Sequence, residues 1–160
     1  MTDRQTEGRA APIPSRICVY VSRAAPDLTI DDLRALIFEA RGFNAINGVT
    51  GLLTYDRRGF LQAIEGTSEA VDELLATISR DPRHHAMEII LDAPVSAPQF
   101  ASFHDFLCEG ERVASLSILN CTTLARLSGD VAGAIGQGFV RLQSETSEEA
   151  PALAALRQNR

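Results

Sequence analysis

The sequence is poor in cysteine, carries no excess of positive charge and contains no long apolar run, and each shortage closes off a class of protein. Cys18, Cys108 and Cys121 are odd in number, widely spaced and form no Cys-x-x-Cys pair. Neither a disulfide framework nor a zinc site is indicated, and the thiols read as small buried hydrophobes. Lys and Arg number 15 against 21 Asp and Glu, a formal net charge of -6. That is the wrong sign for a surface that tracks nucleic-acid phosphates, and Arg57-Arg58 is too short to reverse it. No apolar run approaches the ~20 residues of a membrane span, and Met1 to Arg16 lacks the apolar centre of a secretory signal. The expectation is a soluble cytoplasmic protein with no nucleic-acid and no membrane partner. His84 and His85 are adjacent and His104 lies far off, so no metal site is expected. A nucleophile motif and a phosphate-cradling glycine loop are also missing, and no turnover chemistry is identified.

What is present suffices for one compact domain: 160 residues, 45% of them apolar. The most ordered pattern lies between Gly48 and Gly66. Two apolar runs, Val49 to Tyr55 and Phe60 to Glu65, flank Asp56-Arg57-Arg58-Gly59, whose closing glycine suits the positive φ of a hairpin loop. In the second arm Phe60, Gln62 and Ile64 share one face and Leu61, Ala63 and Glu65 the other, because strand side chains repeat every second residue. Gln62 therefore sits between large apolar neighbours on a face that loses water. Its amide needs hydrogen-bond partners there.

Upstream, Arg16 to Ser22 alternates Ile17, Val19 and Val21 with Arg16, Cys18, Tyr20 and Ser22, a first strand covered on both faces. Thr29 followed by Asp31 and Asp32 starts a helix that carries Leu33, Leu36, Ile37 and Ala40 and is predicted to end near Gly42. After the hairpin, Gly66-Thr67-Ser68-Glu69 caps a second helix with Val71, Leu74, Leu75 and Ile78 in its stripe, stopped by Pro82. Met87 to Leu91 and Phe100 to Cys108 read as strands four and five, separated by a loop with Pro94 and Pro98. The order β-α-β-β-α-β-β is that of an α+β, ferredoxin-like split βαβ sheet with two helices on one face and the first and third strands adjacent at its centre. Tyr20 and Gln62 then meet on neighbouring strands if both point to the helices. They either share one ligand or satisfy each other.

The expected organisation is a disordered leader over 1–15, the domain over 16–108, and a C-terminal helical extension and tail over 109–160. Val131, Ala134, Ile135, Gly138, Phe139 and Leu142 form a helical stripe, and Val113 to Leu127 carries a shorter one, so two helices are predicted to follow the sheet. They would cover Ile17, Val19 and Val21 on the side away from the first two helices. Gly133, Gly136 and Gly138 each weaken such a helix by ~1 kcal/mol unless close packing uses them. From Ser144 the chain turns acidic and then alanine-rich, a loose or partner-dependent tail.

Taken together, Tyr20-Val21-Ser22-Arg23-Ala24-Ala25-Pro26-Asp27-Leu28, then Asn44, Gly48-Val49-Thr50-Gly51-Leu52-Leu53, Phe60-Leu61-Gln62-Ala63-Ile64-Glu65-Gly66 and Asp81-Pro82-Arg83-His84 resemble the BLUF family of blue-light receptors using FAD. The resemblance covers about residues 16 to 106. It implies the fold just described, with noncovalent FAD between the two helices. It also implies that Tyr20 is the residue donating an electron and a proton toward the excited flavin. Gln62 matches the glutamine that bridges this phenol to the ring's N5 and C4 carbonyl edge. Asn44 falls at the position facing the C4 carbonyl and N3, and Arg83 near the C2 carbonyl. Asp81 and His84 are further pocket candidates, and Leu36, Ala40, Leu53, Phe60 and Ile78 match residues that wall the ring.

The sequence departs from the family on the fifth strand. Phe103 and Asp105, the signal-relay candidates, stand where a tryptophan and a methionine are common, and Gln99 where an arginine is. Phe103 cannot donate an indole hydrogen bond, and an ionised Asp105 in an apolar pocket is costly unless paired. The resemblance implies a photoreceptor, not an enzyme, that signals to a separate effector protein, and the C-terminal helices offer a surface for self-association. Two other readings remain: an acylphosphatase-like hydrolase using Arg23 with Asn44 or Asn47, and a flavin-free interaction module with the same fold.

Overall fold

The computed structural model describes residues 15–56, 58–101, 103–107 and 127–144, with the backbone alone for 103–107. In chain order the elements are β1 (Ser15–Ala24), α1 (Ile30–Asn47), β2 (Thr50–Tyr55), β3 (Gly59–Gly66), α2 (Ser68–Ile78), β4 (His84–Val95), β5 (Phe103–Leu107) and α3 (Gly129–Ser144). The leader expected over 1–15, the first of the two predicted C-terminal helices and the tail lie almost entirely outside the described residues.

The strands form one five-stranded sheet in the order β4-β1-β3-β2-β5, antiparallel except for the β2–β5 pair. β1 and β3 are its centre, as the split βαβ order requires. Their register sets Tyr20 opposite Gln62 and Cys18 opposite Ile64. On one face Cys18 and Ile64 pack against Val71 and Leu74 of α2, and Leu53 and Phe60 against Leu33 and Ile37 of α1. The other packs Ile17, Val19, Val21, Leu61 and Ala63 against Val131, Ala134, Ile135, Phe139 and Leu142 of α3. The α3 stripe read from the sequence is thus the buried face of that helix.

Local chemistry sets the helix ends. Thr29 and Asp32 form a reciprocal capping box at the start of α1, and the Thr67 hydroxyl accepts from the Ala70 N–H at 3.2 Å at the start of α2. Several boundaries differ from the sequence reading. α1 runs through Gly42, which faces open space, and stops at Gly48 with φ +64°, whose N–H is bonded to the Asn44 carbonyl. α2 ends at Ile78, before Pro82. β4 extends to Val95, so Pro94 lies in the strand opposite Arg16 and not in a loop, which an outermost strand tolerates. β5 starts at Phe103, while Phe100 lies before it, buried on the α3 side.

Gly59 does not have the positive φ expected of it. Glycine is needed there because a Cβ would overlap the Ser22 carbonyl of β1. The hairpin loop is held by Asp56, whose Oδ1 accepts from the N–H groups of Arg58 at 3.1 Å and Gly59 at 3.3 Å. Among the α3 glycines, Gly138 sits against Leu61, Val21 and Ile90, whereas Gly133 and Gly136 meet nothing.

Candidate functional site

Between α1, α2 and the sheet lies a cavity of about 230 Å³. Its floor comes from the even-numbered side chains of β1 and β3, Tyr20, Ser22, Phe60 and Gln62, with Leu53 of β2. α1 supplies Leu36, Glu39, Ala40, Phe43 and Asn44, α2 supplies Leu74, Thr77 and Ile78, and the turn into β4 adds Asp81, Arg83 and His84. The eleven pocket residues picked from the sequence therefore surround one space. Of Phe103 and Asp105, the signal-relay candidates, only the backbone is described: they pair in register with Gly51 and Leu53 of β2, and their side chains lie outside the described residues.

Several buried polar atoms of this cavity are unspent. The Tyr20 hydroxyl donates to Gln62 Oε1, with Tyr20 3% and Gln62 4% exposed. Burial first, then the proximity of Cys18 and Asp81, push the Tyr20 phenol far above its ordinary pKa, so it keeps its proton. Asn44 is 1% exposed, and both its Oδ1 and its Nδ2 lack a partner; the Ser22 hydroxyl and His84 Nδ1 are likewise buried and unpaired. The His84 Nε2 lies 2.6 Å from the Ile78 carbonyl, which can only accept, so Nε2 carries a hydrogen. Buried polar atoms are normally satisfied, and an amide with both ends bare points to a ligand with a matching edge.

The charged groups gather at one side. Arg83 donates Nε and Nη2 to Asp81 at 2.6–3.0 Å and Nη2 to Glu39 at 2.8 Å. Burial alone would raise Asp81, but the bonds and charge of Arg83 outweigh it and hold the carboxyl below its ordinary value. Glu39, exposed and on α1, ties the helix to the turn before β4. The apolar walls are Leu36, Leu53, Phe60, Leu74 and Ile78, with the Phe60 ring 5.1 Å from Tyr55 and 6.1 Å from His84. Ser22, Glu39 and Thr77 were missed as site residues in the sequence, as were Phe43 and Leu74. A lone polar residue in a strand or on an outer helix face leaves no periodic signal, and only the alternation Tyr20-x-Ser22 hinted at one of them.

The BLUF family, described as sensors of blue-light using FAD, matches residues 16–105. The chain belongs to this family. Over 57 residues it is 40% identical to the photoactivated adenylate cyclase subunit beta of Euglena gracilis, an alignment that covers 36% of this chain and 7% of that protein. The chain therefore spans a small fraction of the curated relatives it matches. Among solved structures, the dark state of the BLUF protein BlrB superposes with a TM-score of 0.59 at 27% identity, covering 76% of this chain and 97% of that one. Klebsiella pneumoniae BlrP1 with FMN and cyclic diGMP gives 0.54 at 29% identity, over 59% and 26% of the two chains.

The BLUF cofactor is FAD, and the cavity fits a flavin ring. It is smaller than the ~300–1,000 Å³ of common ligand sites, a size that suits a planar ring system. Apolar side chains line most of it, and the bare Asn44 amide offers both a donor and an acceptor to an edge of carbonyls and N–H. No helix among the described residues is long and apolar enough to cross a membrane.

Proposed function

We propose that this chain is a blue-light sensor in which Tyr20 and Gln62 form the switch, Asn44, Arg83 and His84 hold the flavin ring's polar edges, and a separate protein receives the signal. The observation that carries the reading is the buried hydrogen bond from Tyr20 to Gln62 beside the unpaired Asn44 in a flavin-sized cavity. When bound there and excited by light, FAD supplies a strong oxidant. The chain's own part is proton placement. A neutral, buried Tyr20 has one route for its proton, along the bond to Gln62 Oε1. Gln62 offers acceptor and donor at one end, so rotation or tautomerisation of its amide rewrites the hydrogen bonds without moving β3. Asp81 fixes Arg83 within the wall of the cavity, and the apolar lining keeps water from competing for these bonds.

The test is optical. The purified protein should bind FAD and shift its absorption to the red under blue light. Tyr20→Phe, which removes only the hydroxyl, should keep FAD and fail to accumulate the shifted state; ordinary photocycling in that variant would mean another donor serves. The hydrolase alternative has no support in the geometry. Arg23 donates to the Arg141 carbonyl of α3 at 3.3 Å, Asn44 lies in the cavity on the opposite face of the sheet, and Asn47 caps its own helix by donating to the Phe43 carbonyl at 2.9 Å.

The relatives' names include cyclase subunits, which supports coupling of this module to an effector. Self-association through the C-terminal helices would use the outer face of α3, where Val140 is exposed.

A further inference from the structure

Glu65 is a carboxylate set in the apolar layer under α3, 3% exposed. Its oxygens accept the backbone N–H of Gln99 at 3.0 and 2.9 Å and that of Phe100 at 2.9 Å. A buried carboxylate is costly without such compensation, and charge-assisted bonds to backbone N–H are strong ones. Both N–H groups belong to the segment joining β4 to β5. Held in this way, Phe100 fills the core beside α3 at 2% exposure. The Gln99 side chain reaches the other way: its Oε1 accepts the Ser128 N–H at 2.7 Å, and the Ser128 carbonyl accepts from Ala132 at 3.0 Å in the first turn of α3. Three parts of the fold that are distant in sequence thus converge near one side chain, three residues along β3 from Gln62.

We infer that Glu65 is a positioning residue that couples the flavin-site strand to α3. Gln62 and Glu65 leave β3 on opposite faces, so the strand passes between the cavity and the clamp. A shift of β3 at Gln62 moves the Glu65 carboxylate, the carboxylate moves the 99–100 backbone, and Gln99 carries the first turn of α3 with it. The same backbone leads directly into β5. Use of this joint by light rests on the photoreceptor reading; the joint itself rests on the bonds alone.

Amide hydrogen exchange on the full chain with FAD, in the dark and under blue light, tests both. In the dark, Glu65→Gln should speed exchange at Gln99 and Phe100 about tenfold and speed the first turn of α3 with them. Gln99→Ala should speed the α3 turn while Phe100 stays protected. In light, both variants should keep the absorption shift and lose the light-minus-dark difference in α3 that the unaltered protein shows. Faster exchange at Gln99 and Phe100 with α3 unchanged overturns the coupling, as does a full light-minus-dark difference in both variants. If Glu65→Gln does not fold, normal α3 exchange in Gln99→Ala overturns it alone. Absence of any absorption shift in the unaltered protein would sink the photoreceptor reading instead, and the dark comparison would still decide the joint.

Discussion

The two faces of the central strands β1 and β3 are built from alternate residues of the same segments and solve opposite problems. Ile17, Val19, Val21, Leu61 and Ala63 are packed to exclusion against α3, with Gly138 letting the helix approach. Tyr20, Ser22, Phe60 and Gln62, one residue away in each case, face a cavity with bare hydrogen-bonding atoms. The first face stabilises the fold, while the second gives up packing and polar satisfaction to receive a ligand. The strand's period of two is what lets one segment do both.

The contrast is broken most severely on the packed face. Leu61 is fully buried, and Leu61→Ala should cost ~2–5 kcal/mol in urea unfolding, through lost transfer energy and an unfilled hole. On the cavity face the sign should reverse: Asn44→Leu should leave the flavin-free protein as stable or ~1 kcal/mol more stable, because two unpaired polar atoms disappear. FAD affinity in Asn44→Leu should nevertheless fall by about tenfold or more, measured by fluorescence titration.

A smaller effect comes from pH. Burial first, with the nearby Asp92 charge, pushes the Cys18 thiol up to about 11, and Tyr20 is raised further still. Both are acids whose folded pKa exceeds the unfolded one. Below the unfolded values, ~8.5 for the thiol and ~10 for the phenol, each is protonated in both states and contributes no slope. Above them the unfolded chain loses its proton first, so stability should decline as pH rises past ~8.5 and more steeply past ~10. Tyr20→Phe should remove the steeper part, as followed by urea midpoints of the flavin-free protein between pH 7 and 11. A slope unchanged in that variant would mean that Tyr20 is not the group responsible. Smallest of all, Glu39→Gln should cost under ~1 kcal/mol, because its pair with Arg83 is largely exposed.

The sequence carried the division between the faces well, because alternation in Arg16 to Ser22 and Phe60 to Glu65 is a local signal and the helix stripes over Leu33 to Ala40 and Val131 to Leu142 are another. It carried the element ends less well. Gly42 reads as a stop, yet on the outer side of α1 it costs only some helix propensity, and the stop is Gly48 at positive φ. Pro94 reads as a loop, yet β4 is an edge strand. Apart from Tyr20 and Gln62, which alternation and strand order bring together, long-range polar contacts were not legible. Glu65 could be assigned to the α3 face by alternation, but its partners are backbone groups about 35 residues away in an irregular segment, and nothing in residue types marks such a grip.

The claim that Gln62 is the switch is tested most directly by the light-minus-dark absorption spectrum of FAD bound to Gln62→Leu, recorded beside that of the unaltered protein. Leucine approximately keeps the volume and removes every polar atom of the amide. The account predicts a red shift in the unaltered protein and bound FAD with no shift in Gln62→Leu. A full red shift in the variant would contradict it.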